Sequence, residues 1–417
     1  MPTQVIVAPP ARAAMFLTLT VPAGSERAVR GVLAGVSDLA KSVSFRNPAA
    51  ELHVVIGLGS DLWDRMVAGV PRPKDLRVFP GVAGARHVAP STPGDVLVHL
   101  RAGHLDQCFE FARLLALQLG DDARVVDEVH GFKYFDNRDL LGFVDGTANP
   151  QEEEAYSSAL VSEELDAAYV GSSYVVVQKY VHDLTAWESL SVEEQERVIG
   201  RYKLNDVEIP DDKKATDSHV FLTTITDEEG VEHDILRDNM PFGEIGAGEF
   251  GTYFIGYAGN PLVIEQMLRN MFVGRPEGNY DRILDFSTAM TGNLFFVPTA
   301  ELLDGIDDLD LPGSAAAEPD PGDEPPATGH AEGATVLGAP SRLGADDDTT
   351  PDPALGLDLL GTRRAAPSPL DAAGAGDHDE APEPDQDPGD HGPAPHDTPH
   401  DLGIGSLRPR RKDTDAP

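Results

Sequence analysis

Hydrophobic and polar positions recur along this chain with two periods, and their order of succession predicts the fold class. Residues 14–21 form an apolar, Thr-rich run that reads as a strand; residues 24–39 follow with helical spacing at Val29, Val32, Leu33 and Val36. A second strand is predicted at 52–58, bounded by Gly57 and Gly59, and a helix at 60–67. Residues 96–100 predict a strand before the helix Leu105–Leu119, whose expected apolar side carries Phe109, Ala112, Leu115 and Leu119. The second half repeats the theme, with a strand at 174–180, a helical segment at 184–200, a Gly-dotted strand at 251–257 and the helix Pro261–Phe272. Between them, 219–225 and 232–237 flank the polar turn 227–230 and predict a hairpin.

Residues 52–66 (LHVVIGLGSDLWDRM) and 252–267 (TYFIGYAGNPLVIEQM) both run strand, Gly-rich turn, helix, which suggests an internal repeat. Two such halves, each laying helices on one sheet, predict a duplicated α+β body with a site between the halves.

Composition divides the chain differently. Its 417 residues carry a formal charge of −39, but beyond Phe296 there is no Phe, Tyr or Trp, and residues 304–417 hold 26 Asp/Glu, 7 Lys/Arg and 18 of the 34 prolines. Such a stretch cannot bury enough apolar surface to offset its chain entropy, so 304–400 is expected to be a disordered, self-repelling linker. Residues 1–303 keep 45 acidic and 25 basic side chains, enough chain for one large core or two fused halves, at about 10–150 and 151–300. A net negative body lacks the basic stripe that phosphate binding needs, which argues against nucleic acid, and no apolar run approaches the ~20 residues of a membrane helix. Residues 1–20 show no export signal, so the expected location is cytoplasmic. The single Cys108 permits no intrachain disulfide; with Gln107 and Phe109 it reads as a helix face, and as a small buried hydrophobe rather than a nucleophile.

The segment GFVDGTANP at 142–150 is the most distinctive in the chain. Taken alone, its Asp-Gly pair fits a surface turn as well as a site. Three further motifs accompany it: Ser218-His219-Val220, RDNMPFG at 237–243, and MFVGRPEGNYDRILDFSTAMTGNLFFVP at 271–298. Together and in this order they resemble the haem-dependent dye-decolorizing peroxidases, within their bacterial compact-core group, over about residues 10–300.

That resemblance implies a pair of ferredoxin-like units of the dimeric α+β barrel type, with haem b between them, and a homo-oligomer. It places His219 as the axial iron ligand and Asp281 as the carboxylate on its second ring nitrogen, a pairing that makes the imidazole electron-rich and favours O–O cleavage. Without it, His219 would not stand out from His99 or His182 among the 13 histidines. It implies Asp145 as the distal acid–base that moves a proton between the oxygens of hydrogen peroxide, Arg237 as the charge that steadies the breaking bond, and Asn239 as support for bound peroxide. A carboxylate with an ordinary pKa of ~3.9 remains a base in mild acid, so an acidic activity optimum is expected. Phenolic or dye-like donors would return the electrons one at a time. Some relatives carry Glu at the place of Ala148 and use it to bind manganese; Ala148 cannot, which puts manganese oxidation in doubt, although Glu232 and nearby acids could form a weaker site. Two other readings are a haem-handling protein with incidental peroxidase activity and a non-catalytic cargo protein; the complete set Asp145, His219, Arg237 and Asp281 argues against the last.

Near the end of the tail, Leu402, Gly403, Ile404, Gly405, Ser406, Leu407 and Arg408 form an aliphatic island in a polar stretch. Small residues let the backbone lie in a groove while Leu402, Ile404 and Leu407 fill pockets, the pattern of a docking peptide. Residues 401–417 resemble the targeting peptides that load peroxidases into encapsulin shells, which implies an encapsulin shell protein as partner and a nanocompartment as location. A looser island at 355–364 is either a second contact or a chance cluster. The four basic residues Arg408, Arg410, Arg411 and Lys412 are too few, after so acidic a stretch, to suggest a nucleic-acid tail.

Overall fold

The computed structural model describes residues 3–227 and 230–312. The islands at 355–364 and 402–408, and nearly all of the expected linker, lie outside the described residues.

The first half contributes β1 (Ala13–Thr20), β2 (His53–Leu58), a small hairpin of β3 (Val82–Ala83) and β4 (Val88–Ala89), β5 (Val96–Ala102) and β6 (Arg124–Phe132). The second contributes β7 (Ser173–His182), β8 (Leu236–Arg237), β9 (Met240–Glu244), β10 (Glu249–Ala258), β11 (Ser287–Ala289) and β12 (Asn293–Val297). The large sheet runs β6-β1-β5-β2-β12-β7-β10-β8, with β9 also on β10 and β11 also on β7, all neighbours antiparallel. Within each half the spatial order is fourth, first, third, second strand, the ferredoxin-like arrangement, so the duplicated α+β fold expected from the sequence is present. The halves join where Phe296 of β12 pairs with Leu58 of β2.

The segments that suggest the repeat are nevertheless not equivalent. In this topology β10 and its helix correspond to β5 and its helix, not to β2. Both compared segments read strand, Gly-rich turn, helix because any βα unit needs a tight turn there, so local likeness does not carry the register of the duplication.

Side chains alternate across the sheet. Phe16, Leu97, Val129, Val177, Ile255 and Phe295 point into the interior of the curled sheet, whose ends approach where Gly131 of β6 lies against Met240 of β9. On the other face Leu17, Val98, Val176 and Phe296 are covered by helices. In the first half these are α1 (Glu26–Ala34), α2 (Val36–Ser44), α3 (Ser60–Met66) and α4 (Leu105–Leu119). The second half adds α6 (Leu184–Glu188), α7 (Val192–Ile199), α8 (His219–Thr223), α9 (Pro261–Phe272) and α10 (Ala300–Asp304), whereas α5 (Glu152–Ala159) buries Ala159 among the interior residues. No helix among the described residues is long and apolar enough to cross a membrane.

Several expectations need correction. The helix predicted over 24–39 breaks at Gly35, which ends α1 and starts α2. Phe109 on α4 is exposed and Phe111 is buried in its place, beside Cys108, whose thiol burial pushes up to about 12. Residues 219–223 are helical rather than the first arm of a hairpin. The β-branched run reads as strand, but Thr223 and Thr224 hydroxyls bond back to the carbonyls of His219 and Val220, and Leu222 is fully buried. Finally, the body does not stop at 303: Ile306 is fully buried, Arg30 donates to the Asp307 carbonyl at 2.6 Å and Ala68 to that of Asp310 at 2.8 Å. Leu303, Ile306 and Leu309 recur at three-residue spacing inside the acidic run, and composition alone hides them.

Candidate active site

The cavity does not lie between the halves as expected: it is enclosed by second-half elements, α7, α8, β7, β8, β10, α9 and the segment after it, together with the 139–148 loop that leads into that half. Its walls are mostly apolar, with Phe143, Ile199, Ile235, Phe254, Leu268 and Met271 among them, and polar groups gather at two places.

At one of them stands His219, the first residue of α8. Its Nδ1 lies 2.7 Å from Asp281 Oδ2, and the Asp281 side chain is fully buried, its other oxygen accepting from the Ile283 N–H at 3.0 Å. Asp281 is placed by its own N–H, which donates to the Met271 carbonyl at the end of α9. With Nδ1 occupied, Nε2 is the ring nitrogen left for a ligand in the cavity. His182 lines the same space, but Ser287 and Thr252 hydroxyls take its two nitrogens at 2.8 and 3.0 Å, and burial pushes its pKa down to about 4. His99 lies in the sheet interior, outside the cavity lining. The geometry therefore separates three histidines that residue type alone could not.

The second polar group is built by the GFVDGTANP loop and β8. Gly142 and Gly146 have φ of +90° and +80°, a backbone conformation that residues with a Cβ rarely adopt, so glycine lets the loop turn here. This loop carries Asp145. Asn239 donates through Nδ2 to Asp145 Oδ1 at 3.3 Å and accepts from the Ile255 N–H, which fixes the amide's orientation. Burial raises the pKa of Asp145; the nearby Arg237 charge and the Asn239 hydrogen bond oppose the rise without cancelling it. Arg237 donates to the Ala148 carbonyl at 3.2 Å. All the expected site residues except those of the tail line this one cavity or, for Asp281, back its histidine.

Two contributors carry no clear mark in the sequence. Asn149 clamps the Arg237 backbone like a strand neighbour, its Oδ1 accepting from the Arg237 N–H at 3.0 Å and its Nδ2 donating to the Arg237 carbonyl at 2.6 Å. Its place in the motif is the available signal. Asp139, also lining the cavity, accepts from the Phe143 N–H at 2.9 Å, and burial, with the Asp145 charge as a smaller cause, lifts it to about 7. Nothing local marks Asp139, because the groups gathered around its turn, Val198 and Ile199 of α7 against Leu141 and Phe143 and the Lys203 charge, are remote in sequence. Glu232 and Glu208 line the cavity as well, but among the described residues no group of three His, Cys, Asp or Glu is disposed to hold a metal ion.

Mostly apolar walls, a histidine whose Nδ1 is engaged by a fully buried carboxylate, and an acid, a cation and an amide in the same space fit an iron porphyrin; His233 also lines the cavity, but it is exposed and its Nε2 is taken by Asp227 at 2.9 Å. The comparisons agree. The family model for the Dyp-type peroxidase N-terminal region matches residues 3–133, and that for the C-terminal region matches 136–302. A dye-decolorizing peroxidase of Brevibacterium linens is 51% identical over 361 residues, covering 86% of this chain and 96% of the relative. A variant of Rhodococcus jostii RHA1 DypB in complex with haem superposes with TM-score 0.71 at 53% identity, over 73% of this chain and 98% of that one. The encapsulated DyP-type peroxidase from Mycobacterium smegmatis gives 0.72 at 53% identity, over 75% and 99%. What the cavity's chemistry asks for is what these relatives supply: the chain belongs to the Dyp-type peroxidase family and is a haem-dependent peroxidase.

Proposed function

We propose that His219 is the iron ligand, held by Asp281, that Asp145 moves the proton of hydrogen peroxide with Arg237 and Asn239 beside it, and that residues 401–417 dock the enzyme into an encapsulin shell. The bound haem supplies the redox chemistry by which peroxide is reduced and phenolic or dye-like donors are oxidised one electron at a time. The observation that carries the proximal assignment is the fully buried Asp281 carboxylate 2.7 Å from His219 Nδ1. A buried carboxylate there holds the proton on Nδ1 and keeps Nε2 basic.

On the distal side Asp145 accepts a proton from peroxide through its carboxylate and returns it to the departing oxygen. Arg237, permanently charged, binds the developing negative charge, and Asn149 keeps its backbone in register with the loop. Removing Arg237 as Arg237→Leu should leave haem bound and slow the peroxide reaction by about 10²–10³ in stopped-flow absorbance. An unchanged rate refutes its role.

The packaging reading rests on the Leu402–Leu407 pattern and on likeness to a relative described as encapsulated. Co-expressing shell protein with the full chain and with a form lacking 401–417 tests it. Solution activity should be equal, and the truncated form should no longer co-purify with shells. Continued loading refutes the assignment of the docking peptide.

A further inference from the structure

The interior of the curled sheet buries a polar chain that none of the steps above uses. His99 on β5 and Tyr257 on β10 are both fully buried, with Tyr257 Oη 2.7 Å from His99 Nδ1. The other imidazole nitrogen, Nε2, is buried with no hydrogen-bond partner and lies 3.9 Å from Asp238 Oδ2. Asp238 in turn is paired with Arg101 at 2.7 Å. Phe16 stacks on His99 at 4.8 Å and on Tyr253 at 4.1 Å. Burial, with Arg101 as the second cause, holds the His99 pKa well below the usual histidine range, so the ring is neutral and Nδ1 is free to accept the phenol's hydrogen. An orphaned buried nitrogen is costly, and an apolar pair would fill the same space without that cost. Packing alone does not account for the arrangement.

The pair faces the sheet interior, and its link to the cavity runs through Asp238, which stands between Arg237 and Asn239 in the chain and whose charge bears on Asp145. Tyr257 is in register with Leu236, and its neighbour Gly256 with Arg237, so Tyr257 and Arg237 are one strand spacing of about 4.8 Å apart at the backbone, with their side chains on opposite faces of the sheet. Other buried tyrosines have different partners: Tyr180 donates to the Gln178 side-chain carbonyl and Tyr169 to the Pro71 carbonyl. Of the buried tyrosines described, Tyr257 is the one bonded to an imidazole.

We propose that Tyr257 and His99 form a redox site that takes up one oxidising equivalent from the peroxide-treated haem when no reducing substrate is at hand; this rests on the haem peroxidase reading. In that step Tyr257 gives one electron to the oxidised haem, which is reduced by one equivalent. The phenolic O–H bond breaks, and its proton forms an N–H bond at His99 Nδ1. The products are a neutral tyrosyl radical and an imidazolium whose Nε2–H faces the Asp238 carboxylate. An electron from a later donor, with return of the same proton, restores both side chains. Oxidising a buried phenol that had no acceptor would leave an uncompensated positive charge in the core. His99 takes the proton and Asp238 balances the charge.

The test is freeze-quench electron paramagnetic resonance on the haem-loaded enzyme mixed with hydrogen peroxide and no donor, with absorbance of the same sample recording haem oxidation. A tyrosyl signal is expected that narrows when tyrosine is ring-deuterated and that gains a deuteron coupling in D2O from the proton on His99. It should be lost in Tyr257→Phe and kept in Tyr253→Phe. A signal that survives Tyr257→Phe overturns the proposal, as does oxidised haem with no tyrosyl radical. Should the Phe variant not fold, the D2O coupling in the unaltered enzyme decides: its absence is equally fatal. Haem that peroxide leaves unoxidised defeats the peroxidase reading itself, and the absorbance record distinguishes that outcome from the others.

Discussion

The two halves share one strand order and differ in where the chain makes its long excursion. In the first half the excursion lies between the second and third strands, from Gly59 to Asp95, and its outer sheet face is filled by aliphatic residues of α1, α2 and α4. In the second it lies between the first and second strands, from Asp183 to Ile235, and carries α6, α7 and α8 with His219. There a cavity occupies part of the space that helices fill in the other half. The halves are not independent, because the first half's excursion braces the second half's histidine support. His87 meets Asp285 at 3.1 Å, Arg86 donates to Tyr280 Oη at 2.9 Å and Arg77 reaches Glu265 at 2.6 Å. Duplication thus supplied a scaffold; the excursion in the second copy supplied His219, while Asp145 came from the segment joining the halves and Arg237, Asn239 and Asp281 from the second copy's own strands and turns.

Four substitutions sharpen or break this contrast. The largest effect is expected at Asp281→Asn, which keeps shape and an acceptor but removes the charge behind His219. Haem should still bind, and the peroxide reaction should slow by about 10- to 100-fold in stopped-flow absorbance. Gly84→Ala tests the brace, since a Cβ there would meet the Phe272 carbonyl oxygen at 1.8 Å. It should cost about 2–3 kcal/mol in denaturant unfolding and loosen haem binding, although it lies in the half without the cavity. Asn239→Ala removes a hydrogen bond that favours the Asp145 carboxylate, so the neutral acid gains. The acid limb of the pH profile for the peroxide reaction should move to higher pH, and Asp145, already raised by burial, makes the starting profile less acidic than an ordinary aspartate would. A shift to lower pH would contradict Asp145 as the group titrating. The smallest effect is predicted for Gly31→Ala on the exposed side of α1, where nothing lies within 4 Å. It should stabilise by about 0.5–1 kcal/mol with the peroxide reaction unchanged, as the closed half should behave.

Strongly periodic stretches are legible in the residue pattern alone: β1, β7, α4 and α9 all lie where hydrophobic spacing puts them. β6 is not, because its residues are mostly exposed and mix charge with valine, the composition of an edge strand. The short helix bearing His219 reads as a strand by residue type, since its β-branched residues are held helical by contacts with α9 and by hydroxyl bonds to the previous turn. Asp145, Arg237, Asn239, His219 and Asp281 are each expected from motif likeness, whereas Asn149 and Asp139 emerge only with the loop closed on β8 and α7.

By itself, the sequence determined the alternation of strand and helix, the acidic body and the motif set that names the family, because these depend on residue types at short spacing; the register of the duplication came only with the strand order. Tertiary structure alone decided which histidine keeps a nitrogen open, how burial shifts Asp145 and Asp139, and that Tyr257 meets His99 across 158 positions of chain. Those outcomes depend on what surrounds a side chain in space, and desolvation and hydrogen-bond partners come from strands and helices far apart in sequence.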